Sequence, residues 1–192
     1  MSRFILCCLG NPGPRYDGTR HNLGFALADL LVSRARGKWS RPREEYLWSH
    51  VRVSGHDVIV LKPQTYMNLS GEAIGELSTL EPVRARDTLV VCDDIALPLG
   101  MIRLRKRGSD GGHNGLRSVI ESLGTTAFPR LRLGVGPVPE STDAADFVLE
   151  PMATDDWAEG ERMVREGVKC VETVLSDGVE TAMNRFNRRA VE

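Results

Sequence analysis

The chain has 192 residues, 41% hydrophobic and 27% charged, with a formal net charge of -1. This is the size and balance of one soluble domain spanning residues 1–192, long enough to bury a full core. No apolar run approaches the roughly 20 residues of a membrane helix, and the near-neutral total, taken alone, argues against a nucleic-acid partner.

Short apolar or β-branched runs bounded by Gly, Pro or Asp predict strands. In chain order they are Arg3–Leu9, Tyr46–Val53, Val58–Pro63, Thr88–Cys92, Met101–Arg105 and Arg130–Val135. The first is too short for a signal-peptide core and no cleavage site follows it, so no export is expected. The second and third are separated by Ser54-Gly55-His56-Asp57, which predicts a hairpin with a four-residue connection and hence an antiparallel element. Apolar spacing near 3.6 predicts helices through Leu23, Leu27, Leu30 and Leu31, through Leu116, Val119, Ile120 and Leu123, and through Val164, Val168, Val171 and Leu175. A last short helix carries Val179, Ala182, Met183 and Phe186, with Arg185, Arg188 and Arg189 on a solvated opposite side. Gly136–Thr142 is the expected mobile loop. Alternating strands and helices predict an α/β fold: a mixed, mostly parallel twisted sheet flanked by helices on both faces.

The charges are unevenly placed. Arg103, Arg105, Lys106 and Arg107 form a basic cluster, whereas Glu140 to Glu161 holds eight acidic residues and no basic one. A neutral chain can still present a positive face. Cys7, Cys8, Cys92 and Cys170 have no C-x-x-C spacing, and three fall in apolar runs, where a thiol behaves as a small buried hydrophobe. That usage fits a reducing cytoplasm.

Polar residues gather where predicted strands stop: Gly10-Asn11-Pro12-Gly13, Thr19-Arg20-His21-Asn22, Tyr66-Met67-Asn68-Leu69-Ser70, Cys92-Asp93-Asp94 and Gly111-Gly112-His113-Asn114-Gly115. Ligands bind at such junctions in α/β sheets. Each also has a purely structural reading, since Asn22, Ser70 and Asn114 precede apolar-periodic runs and can serve as N-caps worth about 1 kcal/mol. The glycines around His113 allow close approach of a ligand to the backbone. The four histidines lack zinc spacing, the P-loop pattern is missing, and G-x-S-x-G is missing. The remaining toolkit is metal-free and cofactor-free: His as a base for water near neutral pH, Asp to fix its tautomer, and carboxamides to donate to an oxyanion. It fits ester hydrolysis.

In order and spacing, Gly10-Asn11-Pro12-Gly13, Tyr16, Thr19-Arg20-His21-Asn22, P-Q-T-Y-M-N-L-S-G from Pro63, Asp93-Asp94 with Leu97-Pro98 and Gly100, and G-G-H-N-G-L from Gly111 resemble bacterial peptidyl-tRNA hydrolases. The likeness continues through Arg130–Gly136, Asp146–Leu149 and Ala182–Phe186, nearly the whole chain. The resemblance implies a monomeric cytoplasmic enzyme that recycles tRNA from peptidyl-tRNA released by stalled ribosomes. It implies His21 as proton acceptor and Asp93 as its partner. By the same resemblance Asn68 and Asn114 lie near the scissile ester, and Tyr16 and Tyr66 contact the tRNA end. Asn11 distinguishes a blocked from a free α-amine, His113 supports the site, and Arg105 and Arg132 hold the terminal phosphate, with Arg103, Lys106 and Arg107 widening the patch. Two departures from the family pattern stand out: Ala96 where an acidic residue is common, and Ser109-Asp110 in place of a glycine-rich approach to the G-G-H-N-G loop. Two other readings are a non-catalytic RNA-binding relative, as in plant-organelle intron splicing, which predicts lost site residues, and a hydrolase of some other ester or amide, which rests on fold analogy alone.

Overall fold

Alternation of apolar strands with amphipathic segments yields one six-stranded sheet in the computed structural model, which describes residues 3–40, 43 and 45–187. The strands are β1 (Phe4–Cys8), β2 (Tyr46–Val53), β3 (His56–Pro63), β4 (Thr88–Pro98), β5 (Ile102–Arg105) and β6 (Arg130–Gly136), arranged β2-β3-β1-β4-β6-β5. β3, β1, β4 and β6 run parallel, and β2 and β5 close the two edges antiparallel. The helices are α1 (Leu23–Arg34), α2 (Ser70–Ser78), α3 (Asn114–Leu123), α4 (Ala144–Leu149), α5 (Thr154–Asp177) and α6 (Val179–Phe186). The mixed, mostly parallel α/β sheet is as expected from the sequence.

Because side chains alternate along a strand, each central strand feeds two cores. Leu6, Cys8, Leu89 and Val91 pack with α1, α5 and α6, while Ile5, Cys7, Val90 and Cys92 pack with α2 and α3. All four cysteines are buried and unpaired, and burial pushes the Cys7 and Cys170 thiols up to about 12. They serve as packing groups. No helix among the described residues is long and apolar enough to cross a membrane.

Three expectations need correction. The hairpin connection is Ser54-Gly55 alone, with φ of 49° and 81°. These left-handed values suit the tight turn that matches strand twist, so His56 and Asp57 are free to pair in β3. β4 does not stop at Cys92 but continues through Asp93 and Asp94 to Pro98, because β6 still pairs with it there. The N-cap reading of three polar residues also fails. Asn22 makes no side-chain cap and bonds Asn11 instead, Ser70 donates to the Met67 carbonyl 2.8 Å away, and α3 is capped by His113, not by Asn114. Arg188 and Arg189 lie outside the described residues.

The extended β4 lies close over β6 where the latter carries glycine: a Cβ on Gly134 would come within 2.1 Å of the Pro98 carbonyl oxygen. Gly134→Ala should therefore destabilise the fold by about 1–3 kcal/mol through overpacking against backbone. Chemical denaturation measures it, and a midpoint equal to wild type would show that β4 yields without cost.

At the β5 edge, Asn187 accepts from the Leu104 N–H (2.7 Å) and donates to the Leu104 carbonyl (2.9 Å). One side chain stands in for a paired strand. At the centre, the chain leaving β1 turns through α1 toward β3, while the chain leaving β4 turns toward β6 on the other side. Their divergence opens a crevice at the carboxyl end of the sheet, where α/β folds bind ligands.

Candidate active site

β1 ends in the loop carrying Asn11, and a 3-10 turn at Arg20–Asn22 then leads into α1. Asn11 and Asn22 lock these segments together: the Asn11 N–H donates to Asn22 Oδ1 (2.8 Å) and Asn22 Nδ2 donates to the Asn11 carbonyl (3.0 Å). Asn11 Oδ1 accepts the Met67 N–H at 2.8 Å, which leaves its Nδ2 to donate to a ligand. With the turn pinned, His21 Nδ1 lies 2.8 Å from Asp93 Oδ1 across 72 residues of sequence.

Asp93 sits in the part of β4 beyond its pairing with β1 and is only 4% exposed. Its Oδ1 also receives His113 Nε2 at 3.0 Å. The protonation of His113 follows from its cap role, since its Nδ1 accepts the Gly115 and Leu116 N–H groups (3.1 and 3.2 Å). A ring nitrogen that accepts carries no proton, so Nε2 carries it and donates to Asp93. Burial alone would push the Asp93 carboxyl up, but the His21 and His113 rings outweigh it and hold that carboxyl well below the usual range. A carboxylate there takes the Nδ1–H of His21, and the remaining ring nitrogen, Nε2, is the basic one.

Spacing along the chain could not reveal that the ligand atoms of His21, Asp93 and His113 lie within 4.8 Å of one another, a set able to surround a metal ion. The hydrogen bonds oppose that use. To ligate through Nε2, His113 would have to become an imidazolate or turn its Nδ1 proton against two amide N–H groups. The trio is organised around protons.

His21, Asp93, His113, Asn11, Tyr16, Tyr66, Asn68, Asn114 and Arg132 all line one cleft of about 870 Å³. Asn68, on a 3-10 turn after β3, and Asn114, at the first turn of α3, are exposed in it, and Tyr66 is 58% exposed at its rim. Tyr16 is buried, with Arg15 bonded to its hydroxyl and stacked on its ring. Arg105 is exposed on β5 and is not among the cleft-lining residues. The antiparallel register sets Arg103 opposite Arg132 and Arg105 opposite Arg130, so four guanidinium groups share one face.

Arg132 is not free, because Nη1 is 3.0 Å from Asp94 and Nη2 donates to the Ser109 carbonyl at 3.3 Å. Arg130 is fully buried and donates to the carbonyls of Gly108, Ser109, Thr126 and Phe128. Asp110 accepts the Gly112 N–H (2.7 Å) and faces Arg117 (3.8 Å), and it lines the same cleft as Arg132, at one of the two positions expected to depart from the family pattern. At the other departure, the Ala96 N–H donates to Asp94 Oδ1 at 2.9 Å.

The sequence reading did not single out Asp94 as the partner of Arg132, nor Met67, Ile95, Val148 and Leu149 as cleft-lining groups. Two of these apolar residues are buried and two exposed, and none carries a chemical signal in the sequence. α4, which supplies Val148 and Leu149, is a six-residue helix hidden in the acidic stretch.

A model of the family described as peptidyl-tRNA hydrolase matches residues 5–192. The chain belongs to the peptidyl-tRNA hydrolase family. It is similar to the peptidyl-tRNA hydrolase of Chloroflexus aurantiacus, 45% identical over 188 residues and covering 96% of this chain and 98% of the relative. The peptidyl-tRNA hydrolase of Thermotoga petrophila is 43% identical over 184 residues, covering 96% and 97%. The crystal structure of peptidyl-tRNA hydrolase from Acinetobacter baumannii superposes with a TM-score of 0.90 at 29% identity, covering 96% of this chain and 94% of that one. The peptidyl-tRNA hydrolase likeness therefore spans fold and sequence alike.

Proposed function

We propose that the chain hydrolyses the ester between a peptide, or any N-blocked aminoacyl group, and tRNA, returning tRNA from peptidyl-tRNA released by stalled ribosomes. The observation that carries this is the His21–Asp93 contact of 2.8 Å in the cleft that also holds Asn11, Asn68 and Asn114. His21 Nε2 takes a proton from water as the oxygen attacks the ester carbonyl carbon. The imidazolium so formed is stabilised by Asp93. Amide N–H groups of Asn68 and Asn114 donate to the tetrahedral oxyanion, each worth roughly 2.7–4 kcal/mol when well placed. The intermediate collapses by breaking the bond to the ribose oxygen, and the imidazolium returns its proton to that leaving hydroxyl.

Asn11 Nδ2 donates to the carbonyl of a blocked α-amine, an acceptor that a free ammonium group lacks. Tyr16 and Tyr66 meet the tRNA end, the exposed Tyr66 ring offering a stacking face. Arg132 and Arg105 meet its phosphate, with Arg103, Lys106 and Arg107 around them. Guanidinium groups set opposite one another repel, and an anion relieves that repulsion. Phosphate contacts position a substrate without reading its sequence, as an enzyme accepting many tRNAs requires. The same reading has a monomer in the cytoplasm, acting without a cofactor. A role as an RNA-binding partner alone is disfavoured because the full set of His, Asp and Asn residues is retained.

The test is acyl release from N-acetyl-aminoacyl-tRNA and from unblocked aminoacyl-tRNA, both with EDTA. Release from the blocked substrate alone is expected, and no release from it would end the proposal. Arg105→Ala should raise KM and flatten its salt dependence, because fewer counterions are displaced on binding. A salt slope equal to wild type would remove Arg105 from the phosphate site.

A further inference from the structure

The 3-10 turn at Arg20–Asn22 sends three consecutive side chains to three different parts of the fold. His21 reaches β4 and Asn22 reaches the loop after β1. Arg20 points the other way, into the acidic stretch. Its Nη2 lies 2.8 Å from Asp156 at the start of α5, its Nη1 donates to the Phe147 carbonyl at 3.5 Å, and its guanidinium sits 4.0 Å above the Phe147 ring. Flanking backbone reinforces the joint, with Thr19 bridging Pro151 and the Met152 N–H donating to the Gly18 carbonyl at 2.9 Å. Arg20 is buried, and its Nε has no hydrogen-bond partner.

Phe147 belongs to α4, the cleft wall that presents Val148 and Leu149 to a ligand. The wall is thus held by the residue that directly precedes the proposed base in the turn. A simple stabiliser at this position could be apolar, whereas a planar fork held by a carboxylate, a carbonyl and a ring face fixes direction as well as distance. Direction matters here, since a misplacement of about 1 Å at a reacting group costs on the order of 10²-fold in rate.

We propose that Arg20 is a positioning residue that couples the α4 wall to the aim of His21, so that an acyl group seated on Val148 and Leu149 holds the imidazole in register with Asp93. This deepens the reading of His21 as base and rests on it.

The test uses Arg20→Met, Arg20→Lys and Asp156→Asn in the full chain, with N-acetyl-aminoacyl-tRNA as substrate. Methionine retains apolar contact with Phe147, and Asp156, whose side chain is 41% exposed, stays hydrated when its partner is removed. Arg20→Met should lower kcat by about 10- to 100-fold with KM within about threefold, the pattern of a loss felt only in the transition state. Asp156→Asn should give a smaller kcat loss, and Arg20→Lys a partial recovery relative to Met. In the folded Arg20→Met protein the downfield proton resonance of His21 Nδ1–H should weaken or shift. Wild-type kcat in Arg20→Met, a loss confined to KM, or a loss matching only the unfolded fraction at the assay temperature would overturn the proposal. His21→Ala run in parallel separates the two levels. If it is inactive while Arg20→Met is normal, only the positioning role fails; if it is active, the underlying reading of the base fails.

Discussion

His21→Ala should lower kcat on N-acetyl-aminoacyl-tRNA by about 10²- to 10⁴-fold with KM little changed, the range expected for removal of a general base. The surroundings of the ring set this expectation. Asp93 receives Nδ1, so Nε2 is the nitrogen left for water, and the ring lies in the cleft beside Asn68 and Asn114. Alanine leaves Asp93 bonded to His113, so the buried carboxylate keeps a partner and the fold should survive. His50 and His56, on the β2–β3 hairpin at the far edge of the sheet, supply the control, and replacing either should leave kcat unchanged. Activity within tenfold of wild type in His21→Ala would assign the base elsewhere.

Asp93→Asn should be nearly as damaging to kcat, by about 10²-fold or more, for a different reason. The amide oxygen can still accept from one imidazole, but it carries no charge to stabilise an imidazolium. Its amino group can also turn toward His21 and favour the tautomer in which the proton sits on Nε2, where it blocks the attack. The same substitution has a pH signature in stability. The folded Asp93 carboxyl is held below the value of about 3.9 of an unfolded Asp. Its contribution is therefore fully present above about pH 4 and fades as pH falls through the folded value. The gap in unfolding free energy between wild type and Asp93→Asn should be wider above about pH 4 than below it. A gap constant with pH would mean that Asp93 gains nothing from its two imidazoles on folding.

The parts of the fold legible in the sequence were those whose signal is local. β2 begins and ends at Tyr46 and Val53 as its alternation predicts, and the heptad-like spacing around Val164 and Val171 lies inside α5. The sequence pattern ends β4 at Cys92 because Asp93 and Asp94 look like strand breakers; what keeps them extended is β6, which is more than 30 residues away in the chain and contributes a glycine where the strands touch. The site divides in the same way. Polar residues at the β1, β3 and α3 junctions are visible as a class, and only the family resemblance attaches proposed roles to them. The capping of α3 by His113, the tie of Arg132 to Asp94 and the reach of Arg20 to Asp156 are long-range or chemically atypical contacts. The first is local but uses a residue type outside the usual caps, and no window of sequence encodes the other two.

The Asn187 bracket on Leu104 bears on how this molecule behaves in a crowd. An edge strand with open amide and carbonyl groups is a template for another chain, and β5 is also where Arg103 and Arg105 must stay accessible if they are to meet phosphate. Because Leu104 already has both of its main-chain groups engaged, a foreign strand would first have to break two bonds worth about 1 kcal/mol each. The edge offers charge without offering a ladder. If the proposed phosphate contacts are made there, the edge meets an anion while resisting the sheet-to-sheet association by which exposed edges aggregate, so the two demands need not compete on that side of the protein.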